Sequence, residues 1–237
     1  MKKMMSLAAV LTALCISSFT SQAQTADDII AKYITAIGGK EKLAAVQTLS
    51  MEGSINIMGN DAPVTITQVN GKGYKTEMEF NGQKMIQCYT DKGGWMINPM
   101  MGGSVSEIPA EQYKSSRDQI FVGGTLADYK ANGATVELLG KEGNNYKIKY
   151  TDKDKLEKTY YFDASTGFMT KMVQKSNMMG QDVEITIGLA DYKKTDAGYV
   201  MPFSQTIDTG QFSLSTTITK VEVNKPVDPA VFNAPKQ

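Results

Sequence analysis

Leu49-Ser50-Met51-Glu52-Gly53-Ser54-Ile55-Asn56-Ile57 alternates apolar or small residues with polar ones. A period of two sends successive side chains to opposite sides of an extended chain, so this stretch reads as a strand with one apolar face. The pattern returns in Tyr74, Thr76, Met78 and Phe80, in Tyr146, Ile148 and Tyr150, in Val183, Ile185, Ile187 and Leu189, and in Phe212, Leu214, Thr216 and Ile218. Turn signals separate the runs closely, among them Asn70-Gly71, Asn81-Gly82, Asp91-Lys92-Gly93, Ser165-Thr166-Gly167 and Thr209-Gly210. About twelve strands joined by short turns make an antiparallel meander.

Two regions leave this pattern. Thr25-Ala26-Asp27-Asp28 has the form of a capping box with Asp28 in place of the usual Glu, and Ile29, Ile30, Tyr33, Ile34 and Ile37 follow at helical spacing. Gly38-Gly39 ends that helix, and Lys40 to Val46 reads as a second, shorter one. Between Pro109 and Asn132 the alternation stops; Ala110 to Arg117 reads as helical, Gly123-Gly124 as a loop, and Thr125 to Ala131 as another short helix. A long insertion between two sets of strands can lie across the sheet as a cover. A curled sheet with one apolar face leaves a concavity that tight curling, a ligand or water must fill.

Composition narrows the function. Lys2 and Lys3, the apolar run from Met4 to Ile16, and Ser21-Gln22-Ala23 read as an export signal, with the cut expected between Ala23 and Gln24. That would place residues 24–237 in the periplasm as one domain, remove Cys15, and leave Cys88 as a lone thiol. Without Lys2 and Lys3, 23 basic residues face 25 acidic ones, and Arg117 is the only Arg, which argues against a nucleic-acid partner. The sequence has 0 His, so neither a Ser-His-Asp nor a Cys-His arrangement can form. Neither a metal nor a cofactor is expected. Asp152-Lys153-Asp154 lacks the glycine and distal Glu of a calcium loop and reads as a hairpin turn. Glu77 with Glu79, and Asp182 with Glu184, fall on the wet faces of their strands.

Methionine is the unusual feature. Beyond position 23 there are twelve Met and eight Leu, and three turn-like stretches carry Met beside Gly: Asn56-Ile57-Met58-Gly59, Asn98-Pro99-Met100-Met101-Gly102 and Asn177-Met178-Met179-Gly180. Flexible thioether side chains suit an apolar partner of variable shape, or they fold back to cap a sheet end. Trp95, the sole Trp, either plugs the sheet or stands at a cavity rim.

The stretches Tyr160-Tyr161-Phe162-Asp163-Ala164-Ser165-Thr166-Gly167-Phe168, Asp191 to Phe203, and Val227-Asp228-Pro229-Ala230-Val231-Phe232 resemble those of periplasmic lipoprotein-sorting proteins of the LolA/LolB-like group. Ile37-Gly38-Gly39-Lys40-Glu41-Lys42-Leu43 is similar to the start of exported relatives of that group. The resemblance implies an unclosed antiparallel β-barrel holding acyl chains beneath helices. Joined to the residue-level reading, it gives a mainly β fold with α: about 11–12 strands with helices covering the concave face. The leading expectation is a monomeric, non-catalytic periplasmic carrier of lipid or lipoprotein acyl chains, without an integral membrane segment. Ile55, Ile57, Trp95, Ile97, Met100, Met101, Met178 and Met179 are its lining or rim candidates. An interaction module for an envelope protein partner and a carboxylate-based hydrolase are the competing expectations.

Overall fold

The computed structural model describes residues 24–57, 59–178 and 181–235, with 177, 178, 181 and 182 described by backbone alone. The export signal expected over 1–23 lies outside the described residues, as do Met58 and Met179. The first helix, α1, runs Ala26–Ala36, and α2 runs Lys40–Ala45. Strands β1 (Thr48–Ile57), β2 (Asn60–Val69), β3 (Gly73–Phe80), β4 (Gln83–Thr90), β5 (Gly93–Ile97) and β6 (Val105–Glu107) follow as a meander. The insertion holds α3 (Ala110–Ser116) and two 3₁₀ turns, Arg117–Ile120 and Leu126–Asp128. A second meander comprises β7 (Thr135–Glu142), β8 (Asn145–Thr151), β9 (Glu157–Asp163), β10 (Met169–Met178), β11 (Gln181–Lys194), β12 (Val200–Asp208) and β13 (Ser213–Val223).

Both meanders belong to one antiparallel sheet of 13 strands, ordered β6-β5-β4-β3-β2-β1-β13-β12-β11-β10-β9-β8-β7. β6 and β7 stand at opposite edges, so the sheet does not close. It has more strands than the 11–12 expected. The three-residue β6 is too short to show an alternation of its own.

The sheet must curl. Gln68 on β2 donates through Nε2 to the Gln119 carbonyl at 2.7 Å, and the neighbouring Asp118 accepts from Lys158 Nζ on β9 at 2.8 Å. In a flat sheet β2 and β9 would lie six strand spacings apart, about 29 Å, beyond the reach of adjacent side chains. The insertion therefore bridges two walls that curve toward each other.

The concave side carries the main core. β1 contributes Leu49, Met51 and Ile55, β2 Ala62, Val64 and Ile66, and β8 and β9 Ile148, Tyr160 and Phe162. α1 lays Ile29, Ile30, Tyr33 and Ile34 against them, with the Tyr33 and Phe162 rings 5.2 Å apart. The expected capping box is present: Thr25 and Asp28 bond each other's backbone N–H. Lys32 Nζ donates to the Ala164 carbonyl at 2.6 Å, and Val200 N–H donates to the Ile37 carbonyl at 2.9 Å, fixing α1 over one end of the sheet.

One face-level expectation fails. β4 and β5 are apolar on both sides, with Tyr89 and Met96 inward and Cys88 and Trp95 outward. The cause is the C-terminal segment, which returns over the convex side and lays Phe232 against Ile86, Cys88 and Trp95. Trp95 Nε1 donates to the Phe232 carbonyl at 2.8 Å. Gly73 makes room for this clasp, since a Cβ there would stand 2.6 Å from the Phe232 ring.

Candidate functional site

Beneath the insertion the concave face keeps a partly open cavity of about 170 Å³. Leu49, Met51, Ile66, Met201 and Ile218 form its apolar floor, and Phe121 and Gly123 stand over it. Gln68, Gln205 and Thr216 add polar positions to the wall. Buried Gln68 satisfies its amide on the Gln119 carbonyl, so the wall and the roof share a hydrogen bond. Burial pushes the Tyr199 hydroxyl up to about 12, against the opposing pull of its hydrogen bond to the Gly123 backbone. At neutral pH it is therefore an uncharged group tied to the roof.

Polar ties hold the roof in place. The Asn70 side chain donates to the Val46 carbonyl at 3.0 Å and accepts from Val122 N–H at 3.1 Å. Arg117 reaches Asp154 at 2.6 Å and Asp152 at 3.7 Å, so the expected Asp152–Asp154 turn also serves as an anchor for the cover. Lys158 pairs with Asp118 at 2.8 Å. Burial first, and the Asp118 charge second, raise the Tyr160 hydroxyl well above its ordinary range.

A larger concavity of about 500 Å³ lies at the other edge, between the start of α1, Tyr129, Lys130 and β7. Asp27 and Lys130, which form an exposed ion pair, line it, and it opens broadly to solvent. The smaller cavity is the better candidate because it is the more sheltered of the two and its floor is apolar.

The eight sequence candidates divide. Ile55 is buried in the concave core and Ile57 packs at its margin. Trp95 and Ile97 lie on the convex side, so their expected position on the concave wall is corrected; residues on one strand at odd offset from the inward Met96 must face away from it. Met100 and Met101 occupy an exposed 3₁₀ turn, Pro99–Met101, and are 89% and 59% exposed. Met178 ends β10 opposite Gln181; its side chain and all of Met179 lie outside the described residues. None of the described candidates lines the smaller cavity. The residues that do include Gln68, a polar residue at the apolar phase of the run Ala62, Val64, Ile66, Gln68. That interruption was the available signal. Phe121 and Gly123 gave none, because a loop has no period.

No protein-family model matches the sequence, and no curated protein does. Solved structures do match it. A LolA superfamily protein from Nitrosomonas europaea superposes with a TM-score of 0.56 at 10% identity, covering 90% of this chain and 99% of the other. The fold is similar to that of this LolA superfamily protein. A "putative outer membrane lipoprotein-sorting protein domain" from Vibrio parahaemolyticus has a TM-score of 0.54 at 12% identity, covering 86% of this chain and 97% of its own. A DUF1329 family protein from Desulfovibrio piger reaches 0.58 at 13% identity, over 87% of this chain and 96% of that one. At such identities the likeness is one of backbone, so the LolA-type fold here carries a cavity lined by this chain's own residues.

Proposed function

We propose that this protein is an exported, non-catalytic carrier that holds acyl chains of a lipid or lipoprotein against the concave face of its sheet, in the periplasm. The observation that carries this reading is the sheltered cavity with an apolar floor beneath a roof tied by polar contacts. The LolA-type fold and the lipoprotein-sorting description of the Vibrio structure support it, as does the export signal read over residues 1–23. At about 170 Å³ the cavity is smaller than the ~300–1,000 Å³ of ordinary ligand pockets, so a full acyl chain requires it to widen by lifting of the roof. Each methylene then buried contributes ~0.8 kcal/mol, enough for a chain to offset the separation of a few polar ties.

The test is displacement of a fluorescent fatty acid from the purified mature chain, with mass spectrometry of any lipid that copurifies. Thr216→Trp places a ring where the cavity now lies and should weaken probe binding about tenfold or more while the protein still folds. A protein that copurifies with no lipid and binds no probe would sink the carrier reading.

A second reading has its own observation. Met100, Met101 and Phe212 are all exposed, and the strand directions bring the β5–β6 and β12–β13 connections to the same end of the sheet. An apolar set of turn tips there favours docking to an envelope protein. Reproducible capture of one partner, lost in Met100→Gln/Met101→Gln, would support that reading.

A further inference from the structure

Lys158 and Gln174 stand opposite each other in the β9–β10 ladder, on the concave side that also carries Tyr150 and Tyr160. Both are almost fully buried, Lys158 at 4% and Gln174 at 7% exposure. Lys158 spends one donor on Asp118 Oδ2, and an ammonium has three. Gln174 Oε1 is buried with no hydrogen-bond partner among the described residues. An orphaned acceptor of this kind destabilises a fold and is retained where something else supplies the donor.

Directly opposed residues in an antiparallel pair have Cβ atoms about 5 Å apart, so the two side chains leave the same face of the sheet as neighbours, and their ends do not satisfy each other. A ligand group that satisfies both must accept and donate from neighbouring atoms. A trans secondary amide lying between the two side chains does so, its C=O turned to one and its N–H to the other; an ester or a carboxylate lacks the N–H. We propose that Lys158 and Gln174 form a headgroup site for an amide-linked acyl chain. Lys158 Nζ donates to the amide carbonyl, and Gln174 Oε1 accepts from the amide N–H. Asp118, on the cover segment that continues to Phe121 and Gly123 above the cavity, holds Lys158 and withdraws when the roof lifts. The inference rests on the carrier reading and adds which end of the lipid is recognised.

Two probes of equal chain length separate the possibilities: N-methyldodecanamide and methyl dodecanoate, each displacing a fluorescent fatty acid from the full mature chain. The wild type should prefer the amide by about tenfold, since only the amide completes the Gln174 bond. Gln174→Leu should remove that preference, keep ester binding within about threefold, and melt no lower than the wild type because the orphaned carbonyl is gone. Lys158→Met should weaken both probes, because both offer it a carbonyl; if that variant does not fold, Gln174→Leu alone decides. Equal wild-type binding of amide and ester overturns the headgroup site and leaves the carrier reading standing. A preference that survives in Gln174→Leu overturns the assignment of Gln174. Displacement by neither probe while the fluorescent fatty acid still binds overturns this inference alone; a protein that copurifies with no lipid and does not bind the fluorescent fatty acid overturns the carrier reading and this inference with it.

Discussion

Cys88 shows how far burial alone sets the behaviour of one residue. It is fully buried under Phe232, and loss of water pushes its thiol from 9.0 up to about 12, with the nearby Lys75 charge opposing the rise. The folded-state value is raised, so the neutral thiol is the stabilised form. Its contribution is complete below 9.0 and is lost as pH rises from there through about 12, where the unfolded chain ionises first. At pH 8, maleimide labelling followed by intact mass should find native Cys88 unmodified. Phe232→Ala should open the site, at a cost in the range of ~3–5 kcal/mol for loss of a buried ring, and labelling should become rapid. Gly73→Ala tests the same clasp from below. Its Cβ would lie 2.6 Å from the Phe232 ring, and the forced shift should cost ~1–3 kcal/mol while also admitting the reagent. Rapid labelling of the unaltered native protein would contradict this account.

At the scale of elements, the start of α1 and the cover segment depend on different ties. Thr25→Ala removes one half of the capping box and should cost ~1 kcal/mol, read as a fall of about 2–4 °C in Tm for a chain of this size. The Asp28 carboxyl is held below its ordinary 3.8 by the Thr25 backbone N–H and then by the Thr25 hydroxyl. The cap is therefore complete above 3.8 and is lost as pH falls through the lowered value. The cover behaves in the same direction, because Arg117, donating to Asp154, holds that carboxyl below 3.8. Arg117→Ala should leave the global Tm close to the wild type, since an exposed pair contributes little. It should nevertheless speed proteolytic cleavage within residues 109–133, the segment those ion pairs tie down. Cleavage at the wild-type rate would show that the hydrogen bonds of Asn70 and Gln68 hold the roof by themselves.

For the whole molecule, the two faces of the sheet serve separate tasks, and the sole Trp reports on only one. Trp95 lies under the C-terminal segment on the convex side, while the cavity opens on the concave side. Ending the chain at Asn224 should expose the indole and shift its emission to the red, with a loss of stability from the uncovered Ile86, Cys88 and Trp95. Acyl-chain binding to the intact protein should leave that emission unchanged. A large change on adding fatty acid would place the ligand on the convex face instead.

What the sequence determined by itself is what is encoded locally. The alternation of Leu49 to Ile57, the helical spacing of Ile29 to Ile37, the Thr25–Asp28 cap and the Asp152–Asp154 turn are each written within a few residues, and each is present in the fold. The unclosed antiparallel architecture follows from many such strands joined by short turns, and the LolA resemblance agrees with it. Tertiary structure alone decided what each face meets. Whether Trp95 looks into a cavity or out at a clasp depends on Phe232, 137 residues away, and an alternation says only that two faces differ. The pairing of Lys158 with Gln174 is likewise a matter of register across a turn, and the approach of Asp118 a matter of sheet curvature. Periodicity is a property of neighbours along the chain. A cavity is a property of neighbours in space, assembled here from Leu49, Phe121, Met201 and Ile218, which no local pattern connects.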